Sequence, residues 1–126
     1  MRPPTLAEVA RLTAGGDSFD ICLANFLDDF YANPTADALA TAPVLLAPQL
    51  GEIGRTQDAY LAAVAEDLAQ RFHLRLPEWA LGEDRVLHRP WFASTLASLR
   101  AVLIHESPAA FRSRNLFVSE NALSRA

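Results

Sequence analysis

Three pairs of adjacent acidic residues are the side chains best suited to acid–base or metal chemistry in this sequence: Asp28-Asp29, Glu66-Asp67 and Glu83-Asp84. Paired carboxylates share a proton or hold Mg²⁺ when they converge in a pocket. Neighbouring residues of a helix, however, point about 100° apart around its axis. We therefore predict that these pairs belong to solvated faces. A small enzyme that uses such carboxylates stays as the lesser alternative.

The other residue types that do chemistry show no working arrangement. His73, His88 and His105 lie far apart along the chain, without the close pair of ligands that is typical of metal sites. Cys22, the only cysteine, lies in an apolar run with no histidine near it, which predicts a buried thiol. The sequence contains neither a Gly-x-Ser-x-Gly motif nor a glycine-rich phosphate loop. We predict no catalytic, cofactor-binding or metal-binding residue, and a protein that is not an enzyme.

Charge is distributed unevenly between the two halves of the chain. Residues 1–70 carry ten acids and three arginines, whereas residues 71–126 carry five acids and eight arginines. The overall charge of −4 disfavours direct nucleic-acid binding, and the basic stretch from Phe111 to Asn115 is too short to change that. A DNA-binding transcriptional regulator remains as the first alternative function. The arginine-rich second half is the better candidate for contact with an acidic partner surface.

Aromatic residues and arginines occur together in this second half. Both residue types dominate the energetics of protein interfaces, because each combines a large contact area with directed donors. A chain end that carries them must also dock on something in order to be ordered. The predicted partner-binding residues are Trp91, Phe92, Phe111, Arg112, Arg114, Asn115, Phe117 and Val118.

Apolar spacing and capping residues define the elements that position these side chains. The pattern predicts helices over 5–14, 18–32, 34–41, 56–72 and 94–106, with a short turn near 108–112. Asp58 is expected to face water, and Gly51 with Gly54 to mark a turn. In the helix over 94–106, the inward side chains are predicted to be Leu96, Leu99, Val102 and Leu103.

These elements predict an all-α fold: a compact bundle of about five to six short helices, with an irregular connector over 77–92 that holds both tryptophans. A partly extended C-terminal arm covers about 108–126. The length fits one domain over residues 1–126. The chain has no apolar run of membrane-spanning length, and a lone cysteine suits a reducing compartment. We therefore expect a cytoplasmic protein; whether it self-associates stays open.

The sequence also resembles a family of small helical proteins of high-GC bacteria. The resemblance covers nearly the whole chain and rests on 26–31, 58–61, Pro90-Trp91-Phe92, Leu99-Arg100, 106–112, 114–118 and 122–126. Such proteins tend to be encoded beside a nucleotidyltransferase-type toxin. The resemblance implies an antitoxin-like subunit that binds and neutralises such a toxin. It implies no functional residue, and the DNA-binding region that some relatives carry has no counterpart here.

Overall fold

The computed structural model describes residues 2–125. Met1 and Ala126, which begin and end the predicted domain, lie outside this range, and Ala126 is also the last residue on which the resemblance rests. Most of the chain is helical, which confirms the all-α prediction. The helices are α1 (Leu6–Ala14), α2 (Phe19–Ala32), α3 (Asp37–Ala40), α4 (Ala47–Leu50), α5 (Glu52–Arg71), α6 (Arg100–Glu106) and α7 (Ala109–Arg112). Three 3₁₀ turns lie at Glu78–Leu81, Glu83–Arg85 and Ala97–Leu99, and two short strands are β1 (Trp91–Phe92) and β2 (Leu116–Phe117).

The first two helices begin where their capping residues predict. The Thr5 hydroxyl accepts a hydrogen bond from the Glu8 N–H at 3.1 Å, and the Ser18 hydroxyl accepts one from the Ile21 N–H at 3.3 Å. Each bond satisfies an N–H group that the first helical turn leaves without a backbone acceptor. The prediction for 34–41 is less accurate, because α3 is a single turn that begins only at Asp37.

Helix α5 is the centre of the bundle. Ten of its 20 residues are buried, so it is covered on more than one side rather than along a single stripe. Many of these buried residues are alanines, whose small side chains let neighbouring elements approach closely. Helices α4 and α7 and the first two 3₁₀ turns all pack against α5. The apolar faces of α1 and α2 belong to the same core.

The prediction that the Asp58 side chain faces water is wrong. Asp58 is completely buried in α5, where its carboxylate accepts hydrogen bonds from the N–H groups of Leu46 and Ala47 at 2.7 and 3.0 Å. The guanidinium of Arg85, also buried, lies 3.9 Å from this carboxylate and donates to the Pro43 carbonyl at 2.7 Å. Asp58 and Arg85 together hold the loop before α4 against the core.

Gly54 also departs from its predicted role in a turn. It lies inside the first part of α5, beside the backbone of Leu46 at the start of α4. A Cβ atom at this position would overlap the backbone carbonyl of Leu46. The glycine is therefore required by the close approach of the backbone at the start of α4, and only Gly51, with a φ of 66°, serves as the turn.

The two strands pair in parallel and link the connector to the chain end. Trp91 is opposite Leu116 and Phe92 is opposite Phe117. The Trp91 N–H donates to the Asn115 carbonyl at 2.8 Å, and the Ala93 N–H donates to the Phe117 carbonyl at 3.0 Å. Within residues 2–125, no helix is both long and apolar enough to cross a lipid bilayer.

Candidate interaction surface

The C-terminal arm is docked on the protein's own core. Phe111, Leu116 and Val118 are almost completely buried. Ser107 joins the arm to the preceding helix, since its hydroxyl accepts from the Val118 N–H at 2.8 Å and donates to the Leu103 carbonyl at 2.6 Å. Phe111 and Val118, both predicted to bind a partner, are therefore buried in the core of this chain.

Arg114 is buried as well, which corrects its assignment to a partner surface. Its guanidinium donates to the carbonyls of Ala110 and Ala80, each at 2.7 Å, and forms an ion pair with Glu66 at 2.7 Å. The Ala80 contact connects the arm to the first 3₁₀ turn, and the Glu66 contact connects it to α5. Arginine provides several donors in a rigid plane, so one side chain can serve all three acceptors.

Asn115 has an internal role too. Its backbone has a φ of 62°, a left-handed conformation that asparagine tolerates better than most residues. Its side-chain amide donates to the Leu87 carbonyl at 2.7 Å, across the start of the β1–β2 pairing. Four of the eight predicted residues, Phe111, Arg114, Asn115 and Val118, are thus engaged within the fold.

The other four predicted residues remain wholly or partly accessible, but they do not form one cluster. Trp91 and Phe92 are consecutive residues of β1, and consecutive side chains of a strand point to opposite faces. Phe92 stacks on Phe117, with ring centroids 5.1 Å apart, and lies beneath the Arg100 guanidinium at 5.2 Å. Trp91 instead packs edge-on against Tyr60, at 6.5 Å. Arg112 is exposed at the end of α7.

Four exposed aliphatic residues lie where the sequence pattern predicts a packed helix. Leu96, Leu99, Val102 and Ile104 are 60%, 40%, 45% and 48% exposed, and within α6 only Leu103 is buried. The predicted inward orientation is therefore wrong for Leu96, Leu99 and Val102. Because Val102 and Ile104 lie on different sides of α6, its apolar residues are not confined to one stripe. A helix that is apolar on several sides is normally buried on several sides.

We call Leu96, Leu99, Arg100, Val102 and Ile104 the α6 surface. It is contiguous with the Phe92–Phe117 pair, because Arg100 lies over the Phe92 ring. No acidic residue occurs between Arg85 and Glu106, whereas Arg89 and Arg100 are exposed in this interval. The sequence signal for this surface was the consecutive apolar run over 101–104, which places apolar residues on all sides of a helix and which a single inward stripe does not explain.

Three of the six acidic residues in the adjacent pairs form ion pairs with arginines. Asp28 binds Arg125 at 2.8 Å, Asp67 binds Arg71 at 3.0 Å, and Glu66 binds Arg114. Arg125 lowers the pKa of the Asp28 carboxyl, whereas burial raises the pKa of Asp67. Burial also raises the pKa of the Cys22 thiol. Over the described part of the chain, no three histidine, cysteine or acidic side chains are grouped as metal ligands.

Comparisons of the chain with known protein families, with curated protein sequences and with solved structures found no match.

Proposed function

We propose that this protein is an interaction subunit that binds a second polypeptide through the α6 surface. The observation that carries the proposal is the exposure of four large aliphatic side chains within nine consecutive positions on and beside α6, whereas the exposed aliphatic residues of other helices, such as Ile21 and Ile53, lie apart from one another in the sequence. Covering a half-exposed leucine, isoleucine or valine gains on the order of 1 kcal/mol. Since Val102 and Ile104 lie on different sides of α6, a partner has to wrap around the helix to cover all of these side chains.

The charges beside the α6 surface define the chemistry of the partner. Arg100 belongs to this surface, Arg89 is exposed in the connector before it, and the sequence has no acidic residue between positions 85 and 106. Arg112, exposed on α7, adds a third guanidinium from the same half of the chain. A partner surface with an apolar centre and carboxylates at its rim would complement both properties, since arginine binds carboxylates through paired hydrogen bonds.

The more specific form of the proposal is an antitoxin-like role, in which the protein occludes and so neutralises a nucleotidyltransferase-type toxin. The support for it is the resemblance described above. In this form, Arg100 and Arg112 pair with carboxylates of the toxin, and the apolar side chains of α6 cover a neighbouring apolar patch. Arg114 is no longer included, because it is buried and both of its terminal nitrogens bond to groups within the fold.

Co-purification with the product of the adjacent gene tests the proposal. Leu99→Asp and Val102→Asp, on the α6 surface, should each weaken complex formation at least about tenfold, since each places a charge in an apolar contact. Ile21→Asp is the matched control: Ile21 is 64% exposed on α2, outside the α6 surface, and its substitution should leave the complex intact. Thermal unfolding of each isolated variant verifies that the fold is preserved.

Separate elution of the two wild-type proteins at micromolar concentration would exclude this partner. Equal effects of Val102→Asp and Ile21→Asp would exclude α6 as the binding surface.

A further inference from the structure

A groove on the opposite side of β1 from Phe92 has no role in the proposed function. It has a volume of about 580 Å³ and lies between α2, the first half of α5 and Trp91. Its apolar walls are Phe19, Leu23, Leu27, Ile53, Tyr60 and Trp91. Both the volume and the mostly apolar lining are typical of sites for small molecules, which occupy clefts of roughly 300–1,000 Å³.

Three of the wall residues are aromatic, and their rings meet at right angles. Phe19 and Tyr60 are 6.0 Å apart with ring planes at 88°, and Tyr60 and Trp91 are 6.5 Å apart at 89°. The electron-rich faces of aromatic rings attract cations, and ammonium groups are recognised by several rings arranged around one point. Trp91 is 36% exposed, so a ligand in the groove can reach its ring.

The charges around the groove favour a cation as well. Asp20 and Glu52 line it, both are exposed, and neither forms an ion pair with another residue in 2–125. Arg125 also lines the groove, but its guanidinium donates two hydrogen bonds to the Asp28 carboxylate, at 2.8 and 3.2 Å, and this carboxylate balances its charge. Asp20 is close enough to Tyr60 to add to the effect of burial in raising the pKa of Tyr60 to about 12.

Helix polarity accounts for part of this arrangement, but not for all of it. Asp20 and Glu52 lie in the first turns of α2 and α5, where acidic residues are favourable in any protein. Helix polarity does not explain why the rings of Phe19, Tyr60 and Trp91 line an open groove, nor why Ile53 is 69% exposed there. It also leaves the side-chain carbonyl of Gln57, a groove residue, buried without a donor among the described residues.

We propose that this groove binds a small organic cation, an ammonium ion that carries apolar substituents. The substituents pack against Phe19, Tyr60 and Trp91, and the charge lies towards Asp20 and Glu52. A small ligand fits better than a polypeptide, because the site is a single concave cleft and not an extended strip. The groove is separate from the α6 surface, so a failure of either proposal leaves the other standing.

Choline is a suitable probe, with its neutral isostere, in which carbon replaces the nitrogen, as the matched ligand. Titration followed by proton NMR at constant ionic strength should show a saturable upfield shift of the choline methyl signal, caused by the ring currents of the aromatic walls. The neutral isostere should bind about threefold to thirtyfold more weakly, which is the range of a cation–aromatic contact.

Variants assign the binding to the groove. Trp91→Leu should abolish most of the methyl shift, and the pair Asp20→Asn with Glu52→Gln should weaken choline binding about two- to fivefold for each charge removed. Asp29→Asn, an exposed acid of α2 outside the groove, is the matched control and should change nothing. Leu99→Asp should also leave choline binding unchanged.

Equal affinity for choline and its neutral isostere would overturn the proposal, because it would show an apolar groove with no preference for charge. The absence of any saturable shift for choline at about 100 mM would overturn it too. A choline shift that persists in Trp91→Leu would place the binding elsewhere and would have the same consequence.

Discussion

Arg112 and Arg114 are two residues apart, and the structure predicts opposite consequences when each is replaced by alanine. The Arg114 side chain is only 4% exposed, and its loss removes two hydrogen bonds to backbone carbonyls and the ion pair with Glu66. Removing one partner of a buried ion pair costs about 3–5 kcal/mol. Because Glu66 is 19% exposed and partly solvated, we expect Arg114→Ala to lie near 3 kcal/mol.

This loss should be large enough to measure by two methods. For a chain of 126 residues, each kcal/mol lowers the melting temperature by about 3–5 °C, so Arg114→Ala should melt roughly 10–15 °C below the wild type. Urea denaturation gives the free energy of unfolding directly. Arg112→Ala, at an exposed position, should remain within about 0.5 kcal/mol of the wild type.

Partner capture separates the two roles further. Arg112→Ala should weaken binding to the proposed toxin without a loss of stability, whereas Arg114→Ala should affect binding only to the extent that it unfolds the protein. A melting temperature of Arg114→Ala within about 3 °C of the wild type, combined with weakened capture, would refute this reasoning. Such a result would mean that Arg114 contacts the partner directly.

Three further predictions concern the core. Asp58→Ala should lower the free energy of unfolding by about 3–5 kcal/mol in urea denaturation, because Arg85 loses its ion-pair partner and the Leu46 N–H loses its buried acceptor. Asp28→Ala, which breaks an exposed pair, should have a much smaller effect. Gly54→Ala should cost about 1–3 kcal/mol by forcing α4 away from α5, and an unchanged melting temperature would contradict the close approach. Burial raises the pKa of Tyr60 to about 12, so the unfolded chain loses this proton first and stability should fall between about pH 10 and about pH 12. The fall is on the order of 2–3 kcal/mol and should be absent in Tyr60→Phe, as followed by denaturation at increasing pH.

Local patterns predict the first half of the chain well because its helix signals act over short distances. Thr5 and Ser18 each cap a helix within three residues, and the apolar stripe of α2 needs only the helical repeat to be recognised. The same reasoning underestimated α5, which begins at Glu52 although Gly54 suggests a turn. There the close contact with α4 outweighs the weak helix preference of glycine.

The candidate site was less predictable, because burial of a charged or aromatic side chain depends on distant neighbours. The composition of the C-terminal arm suits a partner surface, yet Phe111 lies 5.1 Å from the Tyr60 ring inside the fold. In contrast, Leu99 and Val102 suit a core and are exposed. No local pattern distinguishes these outcomes, since both depend on which surface the β1–β2 pairing leaves uncovered.

The sequence by itself determined that the protein is helical, where its first helices begin, and that its arginines gather in the second half. Only the tertiary structure decided that Asp58 and Arg114 are buried, that Trp91 and Phe92 serve different faces, and that α6 remains uncovered. The physical reason is the range of the interactions. Capping and helical periodicity act within a turn or two, whereas Arg114 meets Glu66 and Ala80 from positions 48 and 34 residues away in the sequence.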